Sequence, residues 1–133
     1  MIFLDTSLLV RYFTGDDPHK SRQCEQLFRK TEEGRVTLFL THLTIAEAIW
    51  VLSKKYQMTK PVLVESLRRL LNTPHILCDE APLLLATLDL FGSKSISFVD
   101  AYHATFLPER GITTFYSYDT DFDQIHGITR KEP

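Results

Sequence analysis

An α/β fold with a parallel sheet covered by helices on both faces is the architecture this sequence predicts. Three observations point to it. Short apolar, β-prone runs recur at residues 2–4, 36–40, 76–78 and 112–118. Stretches with apolar residues at helical spacing separate them. Connections are short, with no linker, repeat or low-complexity segment. Short apolar strands alternating with helices are the signature of a parallel sheet buried on both sides.

Each element follows from its residues. Ile2, Phe3 and Leu4 make a short buried strand that ends in Asp5. Thr6 or Ser7 caps the next helix, with Leu8, Leu9 and Phe13 inward. Gly15-Asp16-Asp17-Pro18 breaks the chain and restarts it, with Asp17 as N-cap and Pro18 at the first helical position. Cys24, Leu27 and Phe28 form the apolar stripe of that helix, and Gly34 is its stop signal. After the second strand, a helix runs from about residue 43 to 56, with Ile45, Ile49, Leu52 and Tyr56 near one face. Thr59-Lys60-Pro61 opens another, with Val64, Leu67, Leu70 and Leu71 inward. Beyond the third strand, Asp79 or Glu80 and then Pro82 lead into a helix carrying Leu84, Leu85, Leu88 and Phe91, closed near Gly92. Ser97 starts the last helix, which reaches about Pro108. Gly111 breaks the chain before the fourth strand, residues 119–122 lie at that strand's carboxyl end, and a short strand is expected around Ile128.

Composition bounds the function. The chain has 133 residues, the size of one domain spanning 1–133. Hydrophobic residues at 44% and charged residues at 24% exclude disorder, collagen and coiled coil. Fifteen basic against 17 acidic residues give a net charge of −2, so bulk positive charge is not how this chain holds nucleic acid. A local basic strip stays open. Cys24 and Cys78 form no C-x-x-C pair and read as reduced thiols of a cytoplasmic protein. The N-terminal run meets Asp5 without a basic leader, and no apolar run approaches the ~20 residues of a membrane helix. The expectation is a cytoplasmic protein away from the membrane. The five histidines form no H-x-x-x-H pair, and no cysteine cluster suggests zinc.

Carboxylates mark the chemistry. In open parallel sheets, sites form beyond the carboxyl ends of the strands. Asp5 follows the first strand and Asp119 the fourth, while Glu47 and Asp100 sit early in their helices. If strands one and four are neighbours, the four acids converge. Their mutual repulsion then raises some pKa values, and one or two hard cations, Mg²⁺ or Mn²⁺, offset it. Such ions polarise water and phosphate oxygens, which makes a phosphodiester the natural substrate. Each acid also has a plain structural reading. Asp5 and Asp119 suit turns, while Thr44-x-x-Glu47 and Ser97-x-x-Asp100 fit capping boxes. Asp5 favours the functional reading because it stands between apolar runs, where an unpaired charge is costly.

These stretches resemble a known family. Asp5-Thr6-Ser7-Leu8-Leu9-Val10-Arg11-Tyr12-Phe13, Gly15-Asp16-Asp17-Pro18, Thr44-Ile45-Ala46-Glu47, Ser97-Phe98-Val99-Asp100-Ala101 and Ser117-Tyr118-Asp119-Thr120-Asp121-Phe122 resemble the PIN-domain ribonucleases, specifically the VapC toxins of toxin–antitoxin pairs. The resemblance covers nearly the whole chain, and the first and last stretches are its most specific parts. It implies a three-layer α/β/α fold with a central, mostly parallel sheet of about five strands. It implies a Mg²⁺- or Mn²⁺-dependent endoribonuclease that leaves 3′-hydroxyl and 5′-phosphate ends. Asp5, Glu47, Asp100 and Asp119 correspond to the acidic quartet, Asp121 to an accessory metal ligand, and Ser7 to a small hydroxyl residue that orients Asp5 or a water. The implied partners are RNA, a cognate antitoxin and a second copy of the chain, in a homodimer and a toxin–antitoxin hetero-oligomer.

Among basic residues, Arg11 is the best candidate for an RNA phosphate contact, because it lies close to Asp5 in sequence. His42, just before the Glu47 helix, reads as a loop or cap residue, and His103 lies one helical turn from Asp100, within reach of a hydrogen bond to it. Trp50, Tyr56 and Phe28 read as core or interface. Two other functions stay open: a PIN-like RNA-processing nuclease without an antitoxin, and a non-catalytic RNA- or protein-binding module. A phosphatase with a D-x-D signature does not fit, because the residue two beyond Asp5 is Ser7.

Overall fold

A computed structural model describes residues 1–133 as two compact units, 1–81 and 82–133. The first contains β1 (Ile2–Phe3), α1 (Thr6–Thr14), α2 (Pro18–Glu32), β2 (Leu38–Leu40), α3 (His42–Lys54), α4 (Lys60–Leu71) and β3 (Ile76–Cys78). Its three strands pair in the order β1-β2-β3, parallel throughout, with Ile2 opposite Leu38 and Leu38 opposite Ile76. Central β2 is the most buried strand, Leu38 and Leu40 being fully enclosed. The strand expected to be buried at residues 2–4 is exposed instead: Ile2 and Phe3 keep 56% and 58% of their surface. β1 is an edge strand of this ladder, so only Leu4, just beyond it, reaches the core.

Local signals account for most helix ends. Asp17 caps α2 by accepting from the Lys20 amide, with Pro18 in the first turn. Gly15 ends α1 in the left-handed region at φ +62° and donates its amide to the Arg11 carbonyl. Gly34, at φ +73°, leaves room for a neighbour, since a Cβ there would stand 3.2 Å from the His75 ring. The α3 cap differs from the Thr44-x-x-Glu47 reading. Thr41 is the N-cap and forms a reciprocal box with Thr44, so the helix begins at His42. Thr44 is therefore the third residue of the helix, closing the box, and the Glu47 side chain is not needed for capping.

The second unit contains α5 (Ala81–Ser93, of which Ala81 lies in the first unit), α6 (Phe98–Phe106), a 3-10 turn at Pro108–Arg110, β4 (Thr114–Tyr116), a 3-10 turn at Thr120–Gln124, and β5 (Thr129–Lys131). β4 and β5 pair in parallel, Thr114 opposite Thr129 and Tyr116 opposite Lys131. Helices α5 and α6 meet through a Thr87–Thr105 hydroxyl contact of 3.0 Å and an edge-on Phe91–Phe98 pair. Thr87 is fully buried, and its hydroxyl also donates to the Leu83 carbonyl, so its polarity is satisfied. Phe122 sits edge-on to Phe115 at 5.2 Å, tying the second 3-10 turn to β4. The chain is thus α/β with five strands and parallel pairing throughout, three strands in one ladder and two in the other.

Candidate active site

In the first unit, the end of β1 delivers two hydroxyl residues and one acid. Asp5, not Thr6 or Ser7, is the N-cap of α1. Its Oδ2 accepts from the Ser7 amide at 3.1 Å and from the Ser7 hydroxyl at 2.7 Å. Those bonds stabilise the carboxylate and hold its pKa below the ordinary value, the Ser7 hydroxyl being the larger cause. Asp5 is exposed, so the apolar setting expected from its sequence neighbours does not materialise. The helix also leaves Thr6 buried, and its hydroxyl donates to Glu47 Oε2 at 3.1 Å. Asp5 and Glu47 are therefore held by adjacent residues, although 42 positions separate them in sequence. Nothing in the local sequence pattern reveals the role of Thr6, because it depends on α3 packing against α1.

In the second unit, three acids converge. One carboxylate oxygen from each of Asp100, Asp119 and Asp121 lies within 4.8 Å of the others. Ser97 caps α6 by accepting from the Asp100 amide, which fixes the first turn that carries Asp100. Asp119 caps the 3-10 turn of Thr120–Gln124, accepting from the Asp121 amide at 2.9 Å on Oδ1. Burial raises the Asp100 carboxyl above its ordinary value, and the nearby Asp119 charge adds to that rise. The Ser97 hydrogen bond and the His103 charge pull the other way. A half-buried acid beside like charges is an electrostatically costly arrangement in the absence of a cation.

The donor set suits a hard divalent ion. All three groups offer oxygen, the ligand type of Mg²⁺ and Mn²⁺. Oxygens sharing one Mg²⁺ at about 2.1 Å stand at most about 4.2 Å apart. The three acids, whose oxygens lie within 4.8 Å of one another, would have to draw closer to share one ion.

The PIN domain family matches residues 2–128. The chain belongs to the PIN-domain family. No curated protein matches this PIN domain. Among solved structures, it is similar to the Mycobacterium tuberculosis toxin VapC20, which cleaves the sarcin-ricin loop, at 20% identity and a TM-score of 0.44, with all of both chains covered.

Arg11 pairs with Asp16 at 2.6 Å, and Tyr56 donates to the same Asp16 oxygen at 2.8 Å. Arg11 and Ser7 also line an open groove of about 480 Å³ between α1 and α2, together with Lys20, Gln23 and Cys24. His42 is a structural residue, its Nε2 lying 2.7 Å from the Asp79 carbonyl. Phe28 is buried and stacks on Tyr12, as a core reading requires. Trp50 is not core, since 64% of it is exposed on α3.

Proposed function

We propose that this PIN domain is a metal-dependent endoribonuclease toxin of the VapC type. In this reading it hydrolyses RNA phosphodiester bonds to leave 3′-hydroxyl and 5′-phosphate ends. The convergence of Asp100, Asp119 and Asp121 in a chain of this family is the observation that supports it most. Asp5, Glu47, Asp100 and Asp119 are the catalytic acids, and Asp121 joins them as a ligand for Mg²⁺ or Mn²⁺. The two units act as one nuclease domain.

A bound divalent cation supplies positive charge against the phosphate and acidity toward water. The residues of the chain supply placement. Ser7 fixes the Asp5 carboxylate with two donors to Oδ2. Thr6 does the same for Glu47 with one. Asp119 holds the Asp121 backbone through Oδ1. Arg11 is the proposed phosphate contact, and Asp16 sets the direction of its guanidinium. Such a contact gives affinity and not sequence choice.

The biological setting follows from the same reading. A cognate antitoxin restrains the nuclease, the toxin pairs as a homodimer, and both work in the cytoplasm as a hetero-oligomer. No helix is long and apolar enough to cross a membrane.

The test is cleavage of a total RNA pool by purified wild type, Asp5→Asn and Asp119→Asn, with Mn²⁺ and with EDTA, mapping the cut ends. Discrete products that need metal and both acids, with 5′-phosphate ends, are expected. Full activity in a folded Asp5→Asn protein overturns the site. A folded wild type that neither cleaves RNA nor binds Mn²⁺ is a binding module instead.

A further inference from the structure

The geometry points to Arg130, a residue with no place in the acidic set, as the positioning residue that clamps the segment carrying Asp119 and Asp121. Its guanidinium reaches both ends of that segment. Nη1 donates to the Ser117 carbonyl at 2.9 Å, just before Asp119. Nε and Nη2 donate to Asp123 Oδ1 and Oδ2 at 2.8 and 3.2 Å, just after Asp121. This is a two-pronged pairing that a planar guanidinium makes and an ammonium cannot. Nη1 also meets Glu132 at 3.0 Å. The Arg130 side chain is only 15% exposed, so its contacts are partly shielded from water.

What the clamp holds is a short relay. The Ser117 amide donates to the Lys131 carbonyl, and the Ser117 hydroxyl accepts from the Asp119 amide at 2.9 Å. Asp119 in turn accepts from the Asp121 amide. Fixing Ser117 therefore fixes Asp119, and fixing Asp123 fixes the far side of the turn that carries Asp121. Without Arg130, the segment loses this guanidinium tie between its two ends. Arg130 touches neither acid, so it acts through the backbone and not on the reacting atoms.

Its bearing on catalysis rests on the proposed function, because the clamp matters to the reaction only if Asp119 and Asp121 hold a cation. Two readouts separate the questions. Amide hydrogen exchange at Asp119 and Asp121 in the metal-free protein reads the clamp itself. The Mn²⁺ dissociation constant, from electron paramagnetic resonance, reads its consequence. In Arg130→Met, exchange at both amides is expected to quicken about tenfold or more, with α1 amides unchanged, and Mn²⁺ binding to weaken by about 10- to 100-fold. Arg130→Lys keeps the charge but not the fork, and is expected to fall between Met and wild type on both measures. If Arg130→Met does not fold, Asp123→Asn is read the same way. Unchanged exchange and unchanged Mn²⁺ affinity in a folded variant overturn the clamp. So does an equal rise in exchange across both units, which marks general destabilisation. A wild type that binds no Mn²⁺ overturns the proposed function, and the exchange data still decide the clamp.

Discussion

The hydroxyl of Thr6 donates to the Glu47 carboxylate at 3.1 Å, joining the first residue of α1 to the second turn of α3. Thr6 is buried, so this bond is shielded from competing water. Thr6→Val keeps the shape and removes the donor. It is expected to cost about 1 kcal/mol in urea denaturation and to slow RNA cleavage about tenfold. Thr6→Ser restores both. Wild-type cleavage by a folded Thr6→Val protein would show that Glu47 needs no fixed orientation.

Asp5 combines two duties, capping a helix and offering a carboxylate. Substitutions separate them. Asn is also a good N-cap, so Asp5→Asn should fold with near-normal stability and lose cleavage by orders of magnitude. Asp5→Ala loses the same activity and about 1 kcal/mol of stability besides. Thermal denaturation beside an RNA cleavage assay distinguishes the two variants.

Asp100 is half-buried and its charged form is disfavoured. In metal-free buffer at pH 7, Asp100→Asn is expected to raise the melting temperature by about 2–4 °C. Adding Mn²⁺ should reverse the ranking. The wild type gains about 2.7 kcal/mol at a hundredfold excess over its dissociation constant, and the variant gains less. Melting curves in EDTA and in Mn²⁺ check both halves.

The acid limb of stability has a separate source. Hydrogen bonds from Arg11 first, and Tyr56 second, lower the Asp16 carboxyl from 3.8 to about 2. A carboxyl depressed in the folded state stabilises above its unfolded pKa, and that contribution is lost as pH falls through the folded value. The loss therefore runs from about pH 4 down to about pH 2. Asp16→Asn should flatten the stability profile across that window and leave it unchanged in shape above pH 5. Denaturation midpoints by circular dichroism between pH 2 and 6 test this.

Much of this was legible in the chain. The apolar runs located the strands, Asp17-Pro18 marked a helix start, and Gly34 a stop, because each of these signals is local. The acids at strand ends and early helix turns were legible too, and the structure joins Asp100, Asp119 and Asp121. Other features depend on contacts that sequence spacing does not encode. Ile2 and Phe3 look buried by composition, but edge or centre is decided by which strands pair. The α3 cap reads from sequence as Thr44 with Glu47, and only the packed helix shows that Thr41 takes the position. Arg130 carries no motif at all, and its role emerges from β5 lying beside β4.

The pairing of β4 with β5 also bears on how the chain is made. Residues 117–128 are the entire crossover between two parallel strands, close to the minimum length such a connection allows. Asp119 and Asp121 lie inside that crossover, and its geometry is set only when Thr129–Lys131 pairs with Thr114–Tyr116. Domains fold as their segments emerge during synthesis. A chain folding before residues 129–131 are free to pair thus contains Asp100, Asp119 and Asp121 but not their convergence. That convergence should form only once Arg130 has closed onto Ser117 and Asp123.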